Sequence, residues 1–449
     1  MAATQKESGP QSAATTPVMM LYLLASEGRM DAGSQWLINE GERRIGRAAP
    51  AQRADSIQLP DDSRLSEEHA YLFKQDNEVV LQDAGSKNGS FVNGVRVEKC
   101  RLQDTDILRL GSSLFILRLL DSSRFAAAEP VVLHDVIFRS PEMHELRTYA
   151  EQLASADDLV LLLGETGTGK ERIAHYIHNT HRRDKKFVAI NCASLTPELA
   201  DSALFGHERG AFTGAGTSQL GAFREAGAGT LFLDEVGELP PLVQSKLLRA
   251  LAERKIMPVG SAKDSPFHAR VIAATNRDLD SAVSDGGFRP DLLYRLRACT
   301  LEIPPLRVRR EDILPILSAR FAPDYQPRLN RYLVERLLLH RWPDNARGVV
   351  NLAQHFQRRF PQAATLELQH LPSWLPADSF ASSVVDSAAS SPVVFASSEK
   401  QPSTEELLSL LQQHRGNKAA IARHRGASER TVGRWLAAHG LEFWQWRRK

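Results

Sequence analysis

The apolar positions of this chain follow two rhythms. Between Met19 and Leu120 they come in short runs, Tyr71-Leu72-Phe73, Val79-Val80-Leu81, Ile107-Leu108 and Leu114-Phe115-Ile116-Leu117, separated by turn residues. The Asn-Gly pairs inside SKNGS (86–90) and VNGV (92–95) are strong turn signals, because tight hairpin turns need positive φ at their centre. This spacing predicts an all-β sandwich over 19–120. From 132 to 372 the apolar runs lie farther apart: Leu159–Leu163, Phe187–Ile190, Leu231–Leu233 and Val271–Ala274. Each is followed by polar residues and then a helical pattern, which predicts a parallel sheet wrapped by helices over 132–304. A mostly helical part over 305–372 carries Tyr332–Leu339 and Arg347–Phe360. Residues 373–403 are rich in Ser, Ala and Pro, a linker composition, and 404–449 are short and helical again. The fold class is therefore multidomain: all-β, then α/β with a helical subdomain, then all-α.

Composition narrows the class. A chain of 449 residues is too long for one ordinary core, and 42% hydrophobic with 24% charged residues is the balance of a soluble globular protein. No run of eighteen apolar residues is present, so no membrane partner is expected. Residues 1–18 lack a basic-then-apolar leader pattern and read as a flexible tail. Cys100, Cys192 and Cys299 are too scattered for a disulfide framework or a metal spacing, so a reducing cytoplasm is expected. The net charge of +2 decides nothing, but 401–449 hold nine Lys/Arg against four Asp/Glu, an excess of +5 that suits a polyanion.

The chemistry begins at Gly164-Glu165-Thr166-Gly167-Thr168-Gly169-Lys170-Glu171, directly after the apolar run ending at Leu163. Strand, glycine-rich turn, then helix is the setting of a phosphate-binding loop. Its backbone N–H groups can point at phosphate oxygens, and Lys170 adds a point charge. A nucleoside triphosphate, ATP with Mg2+, is the expected ligand. Glu171 departs from the common pattern, which places a hydroxyl there for the metal. Downstream, the strand Gly229–Leu233 ends in Asp234 and Glu235. Asp234 is placed to hold Mg2+, and Glu235 to polarise the attacking water. Asn276 stands at the end of another strand, suited to positioning that water.

The segment HERGAFTGAGTSQLGAFREAGAGTLFLDEVGEL (207–239) resembles the central domain of sigma-54-dependent transcriptional activators, bacterial enhancer-binding proteins of the AAA+ ATPase superfamily. Gly210-Ala211-Phe212-Thr213-Gly214-Ala215 matches that family's signature, a surface loop that engages sigma-54. Read locally, Phe212 is equally a core residue in a tight turn. Glu171 is usual in this family. The resemblance spans nearly all of 132–372. It implies that Asn191 restrains Glu235, that Arg289 and Arg295 act as fingers across a subunit boundary, and that Arg347 senses the γ-phosphate in cis. The family commonly has Glu after that arginine; here it is Gly348, for which a modest local change is expected.

Near the amino terminus, ERRIGR (42–47), SEEH (66–69) and DAGSKNGSFVNG (83–94) resemble, in order and spacing, a forkhead-associated (FHA) domain, which binds phosphothreonine peptides. The resemblance assigns Arg47, Ser66 and Lys87 to the phosphate and Asn88 and Asn93 to the peptide backbone. His69 is expected to support the loop beneath. Glu67 stands where the family often has Arg, and a carboxylate there repels a dianion unless turned away. The alternative is a sandwich kept only for its contacts.

At the other end, Ser428 suits the N-cap of a helix from Glu429 to Ala438 whose apolar face is Val432, Trp435 and Leu436. Arg430, Thr431 and Arg434 would face outward, with the two arginines four apart on one major-groove face. This resembles the Fis-type helix-turn-helix of enhancer-binding proteins; a docking bundle with a basic face is the alternative. Together these features predict a cytoplasmic activator that binds upstream double-stranded DNA, assembles as dimers and hexamers, receives a phosphothreonine partner and remodels sigma-54 RNA polymerase with ATP. A protein-remodelling ATPase away from promoters and a non-catalytic regulator are the rival readings.

Overall fold

The computed structural model describes residues 17–30, 34–48, 56–75, 77–121, 131–212, 216–375 and 407–410. The chain divides into two compact units, Met1–Pro392 and Val393–Lys449. In the second, residues 407–410 form a helical turn. No helix among the described residues is long and apolar enough to cross a membrane.

The first part of the larger unit is a sandwich of two sheets. One runs in the order Arg29–Met30, Pro17–Ser26, Ser113–Asp121, Ile107–Leu110, Ser90–Val92, Val95–Val97, with Gln35–Leu37 also on Pro17–Ser26. The other runs Lys99–Leu102, Glu78–Asp83, Ala70–Gln75, Gly41–Gly46, Ser56–Gln58. Alternation along a strand decides which face is buried: in Glu78–Asp83, Val79 and Leu81 turn inward. They join Leu21, Ile45, Leu72, Leu108 and Phe115 in one core.

The second part is a parallel sheet in the order Phe187–Asn191, Thr230–Asp234, Arg270–Thr275, Val160–Leu163, Thr300–Glu302. Helices cover both faces, so the middles of its central strands are apolar. Leu161, Leu231, Leu233, Val271 and Ala273 fill one side; Val160, Leu162, Phe232, Ile272 and Ala274 fill the other. Strand order reverses around Val160–Leu163, and ligands of such sheets bind at the carboxyl ends near that point.

A helical part follows, with helices Ile313–Ser318, Arg331–Leu339 and Asn345–Arg359. Its core is not its own alone. Leu24, Ala25, Ile107, Leu114 and Ile116 of the sandwich join Leu314, Leu317, Leu333, Leu337 and Trp342 in one buried cluster. Leu329 N–H donates to the carbonyl of Gly28 at 2.9 Å, which seals the same seam. Burying a Leu or Ile side chain contributes about 1.5–3 kcal/mol, so the shared cluster seats the sandwich firmly on the helices.

Candidate functional site

The carboxyl end of Thr230–Asp234 and the loop that follows Val160–Leu163 open onto a cleft of about 310 Å³. Its polar wall is the loop 166–170 with Glu171, Asp234, Glu235, Arg309 and Arg347; its apolar wall includes Val136, Ile137, Ile316 and Val350. Such a cleft suits a ligand with a flat apolar base and an anionic tail.

The loop after Leu163 curls because Gly167 and Gly169 adopt φ of +78° and +106°. A side chain on Gly169 would meet no protein atom within 4 Å, so the space beside it belongs to the cradle. The helix Lys170–Arg182 then begins with its unpaired N–H groups and positive dipole end facing the cleft. Lys170, mostly buried, donates from Nζ to the Gly164 carbonyl at 3.0 Å and lies 3.7 Å from Glu235.

Burial raises the pKa of Asp234 above the ordinary carboxylate range. The neighbouring charge of Glu235 adds to this, and Lys170 opposes it. A half-buried acidic pair short of positive charge fits a divalent cation. Glu235 sits in the left-handed region, φ +52°, a strained conformation for a residue other than Gly. Its Oε2 accepts the backbone N–H of Asn276 at 3.1 Å, while Asn276 Nδ2 donates to Thr166 Oγ1 at 2.7 Å. Asn276 thus joins the acid to the phosphate loop. Asn191 is the register partner of Asp234, but its side-chain oxygen takes the N–H of Ala193 at 3.0 Å. The hydrogen bonds of Asn191 and Glu235 do not join the two residues.

Arg347 lines the cleft, and its N–H donates to the Gly167 carbonyl at 3.3 Å. Arg289 and Arg295 do not line it: Arg289 donates to Asp291 and Ser245, and Arg295 to the Leu251 carbonyl. The Gly348 departure has a physical reason. A Cβ there would come 3.2 Å from Cε3 of Trp342, a fully buried indole whose Nε1 is bonded to the Leu337 carbonyl.

Several residues that carry no motif signal hold the phosphate loop. Glu165 receives both arms of Arg307 at 2.8 and 2.7 Å and Asn345 Nδ2 at 3.1 Å; these hydrogen bonds hold its carboxyl below the usual range. Asn345 Nδ2 also donates to the Thr166 carbonyl, at 3.0 Å. Arg309, buried, donates to the Thr168 carbonyl at 2.8 Å. Arg309, Glu311 and Asp312 are buried, while Arg307 stays exposed.

The loop 208–218 is strapped at its base. His207 and Gln219 exchange backbone hydrogen bonds, and Glu208 N–H donates to Val259. His207 is buried; its Nδ1 meets the Ser202 hydroxyl at 2.7 Å and its Nε2 the Thr217 carbonyl at 2.9 Å. Phe212 is 41% exposed, its ring edge-on to that imidazole at 5.0 Å. Gly210, at φ +80°, has open space around it, and Ala211 rests against Gly260. Thr213, Gly214 and Ala215 lie outside the described residues, as do Ser428, Arg430, Thr431 and Arg434.

On the sandwich, the Arg47 N–H donates to the Ser66 carbonyl and the Lys87 N–H to Ser66 Oγ, both at 3.0 Å. Arg47, Ser66 and Lys87 therefore share one rim. Asn88 Nδ2 donates to the Arg64 carbonyl at 2.6 Å. His69, buried, accepts the Ser66 N–H on Nδ1 and meets the Gly89 carbonyl with Nε2, tying the two loops together from below. Burial lowers its pKa. Asn93 has both ends of its amide engaged inside the domain, with Asp106 at 2.7 Å and the Ile107 N–H at 3.0 Å. Glu67 is exposed.

Residues 136–302 match the family described as the sigma-54 interaction domain, and 43–111 match the FHA domain. The chain is 46% identical over 227 residues to the Sigma54-dependent transcriptional activator SfnR of Pseudomonas putida, covering 49% of this chain and 62% of that protein. It thus spans less than two thirds of that relative's length. It is 38% identical over 315 residues to the transcriptional regulatory protein GlrR of Escherichia coli (strain K12), covering 68% of each. It is likewise 38% identical over 334 residues to the transcriptional regulatory protein ZraR of Klebsiella oxytoca, covering 72% of this chain and 73% of that one.

Proposed function

This chain belongs to the sigma-54-dependent transcriptional activators, and on that footing we propose that it hydrolyses ATP to drive the loop carrying Phe212 against sigma-54 and so remodels the closed promoter complex. The loop 164–170 binds the β- and γ-phosphates, with Lys170 as the point charge. Asp234 holds Mg2+. When bound, the ion neutralises charge building on the transferred phosphoryl group. Glu235, kept in place by the Asn276 N–H, takes the proton of the attacking water. Arg347 senses the γ-phosphate from the helical part. Arg289 and Arg295 do not line their own cleft, which suits fingers offered to a neighbouring copy in a ring. The basic end 404–449 binds upstream DNA through Ser428, Arg430, Thr431 and Arg434. The FHA domain takes a phosphothreonine on the rim of Arg47, Ser66, Lys87 and Asn88.

The observation that carries this reading is Phe212, exposed on a loop strapped at its base in the same domain as the nucleotide cleft. An exposed aromatic on a glycine-flanked tip suits a partner's surface. The test is Thr213→Ala: ATPase activity is expected to stay at the wild-type level while activation at a sigma-54 promoter is lost. Normal transcription from that variant would sink the promoter role and leave protein remodelling elsewhere.

A further inference from the structure

Four consecutive residues, Arg309 to Asp312, touch both the phosphate loop and the FHA domain. Arg309 donates to the Thr168 carbonyl at 2.8 Å, two residues before Lys170. Arg310 donates to the Thr105 carbonyl of the sandwich at 3.3 Å. Glu311, fully buried, pairs with Arg118 on the strand Ser113–Asp121; Arg118 also meets Glu142 and, at 3.2 Å, Asp104. Asp312 lies 3.6 Å from Arg309 and accepts the Ser140 N–H at 2.9 Å, and the neighbouring Arg139 donates to the Leu23 carbonyl of the sandwich at 2.7 Å.

Stability alone does not require charges here. A buried ion pair is weakly stabilising at best, and an apolar pair of similar volume would join the two cores as well or better. The pair supplies position instead. The Arg118 guanidinium, held by Asp104, Glu142 and Glu311 at once, is fixed in angle and distance, whereas apolar contacts slide. The register of the sandwich strand therefore sets where residues 309–312 lie. Their position sets where Arg309 holds the loop carbonyl.

We propose that Arg118 and Glu311 are positioning residues for the nucleotide: the seated FHA domain holds the turn 309–312, and through Arg309 that turn keeps the phosphate loop in its cradling curve. Unseating the FHA domain then weakens nucleotide binding. Binding free energies are reciprocal, so a bound nucleotide also tightens the FHA seat. A ligand on the FHA rim that shifts this seat is read at the cleft without touching it. The inference rests on the nucleotide reading of the cleft.

The experiment is calorimetric titration of the full chain with Mg-ADP. In the double variant Arg118→Met/Glu311→Gln the buried pair leaves no orphaned charge, and the other acids that Arg118 meets, Asp104 and Glu142, are partly open to solvent. Its Kd is expected to rise about tenfold, a common size for coupling between sites. Arg118→Lys keeps the charge but cannot reach Asp104, Glu142 and Glu311 together, so it is expected to raise the Kd in the same direction with the fold intact; wild-type affinity in that variant overturns the role given to the guanidinium. Saturating Mg-ADP is expected to slow hydrogen exchange over 113–121 in wild type and not in the double variant. A folded double variant with wild-type affinity overturns the proposal, whether or not its FHA domain has moved. If the double variant does not fold, Arg310→Gln removes the bond to Thr105 and is expected to weaken Mg-ADP in the same direction; unchanged affinity there also overturns it. Wild-type protein that does not bind Mg-ADP at all would instead sink the nucleotide reading, and this proposal with it.

Discussion

Gly167→Ala separates two contributions that the phosphate loop combines. Gly167 has φ +78°, and a Cβ there would stand 2.3 Å from the Asp344 carbonyl oxygen and 3.1 Å from Arg347 Cβ. The first obstacle is backbone at the start of the helix Asn345–Arg359, so it does not yield as a side chain would. The left-handed backbone costs an alanine about 1–2 kcal/mol, with or without nucleotide. That part lowers stability, by roughly a few degrees in Tm for a domain of this size. The clash is different. The free protein relieves it by letting loop and helix part by about 1 Å, but a ligand held by both must close them again. Parting them loses the Arg347 N–H to Gly167 bond at 3.3 Å and the Asn345 to Thr166 bond at 3.0 Å. At about 0.5–1.5 kcal/mol each, those bonds stay lost with or without ligand and cancel. The ligand either closes against the clash or forgoes a charge-assisted hydrogen bond from Arg347, about 1.5–3 kcal/mol, so the Kd for Mg-ADP weakens roughly ten- to 150-fold. Gly286→Ala is the control, since Gly286 has φ +71° and open space around it. It should lower Tm without changing affinity. If Gly167→Ala lowers Tm but leaves the Mg-ADP Kd within twofold of wild type, contact between the loop and the helical part does not govern binding.

Glu235→Gln is expected to keep nucleotide affinity and lose about 10²–10⁴ in turnover, measured as phosphate release; equal hydrolysis by mutant and wild type would remove Glu235 from the chemistry. For the FHA rim, calorimetry with threonine peptides should detect weak binding that requires the phosphate and disappears in Arg47→Ala, weak because Glu67 stands exposed beside the site. Equal heats from phosphorylated and bare peptides would mean that the sandwich serves only its contact with the helices.

Much of the architecture is local and therefore readable. The run Leu159–Leu163 is apolar throughout because its strand, Val160–Leu163, is covered on both faces. The Asn-Gly at 93–94 marks a turn because both residues adopt positive φ, +49° and +81°. Spacing between the glycine loop and the strand ending at Asp234 carried the cleft, since parallel sheets put strand ends on one side. The exposure of Phe212 was not readable: small flanking residues suit a buried tight turn and a surface tip equally, and only the strap from His207 to Gln219 separates them.

Sequence by itself determined the family and the strands marked by unbroken apolar runs, such as Val160–Leu163 and Thr230–Asp234, because each depends on residues near one another along the chain or on motifs at fixed spacing. Short strands such as Thr300–Glu302 carried no such mark. Tertiary structure alone decided the rest. Arg118 meets Glu311 from 193 positions away, and Arg109 meets Glu335 from 226. In each case an arginine in a β run and an acid in a helical run have nothing local to show that they are partners. Periodicity records which face of an element is buried, not what it is buried against. That is why the sandwich read as a separate module, and why only the folded chain seats it on the helices beside the phosphate loop.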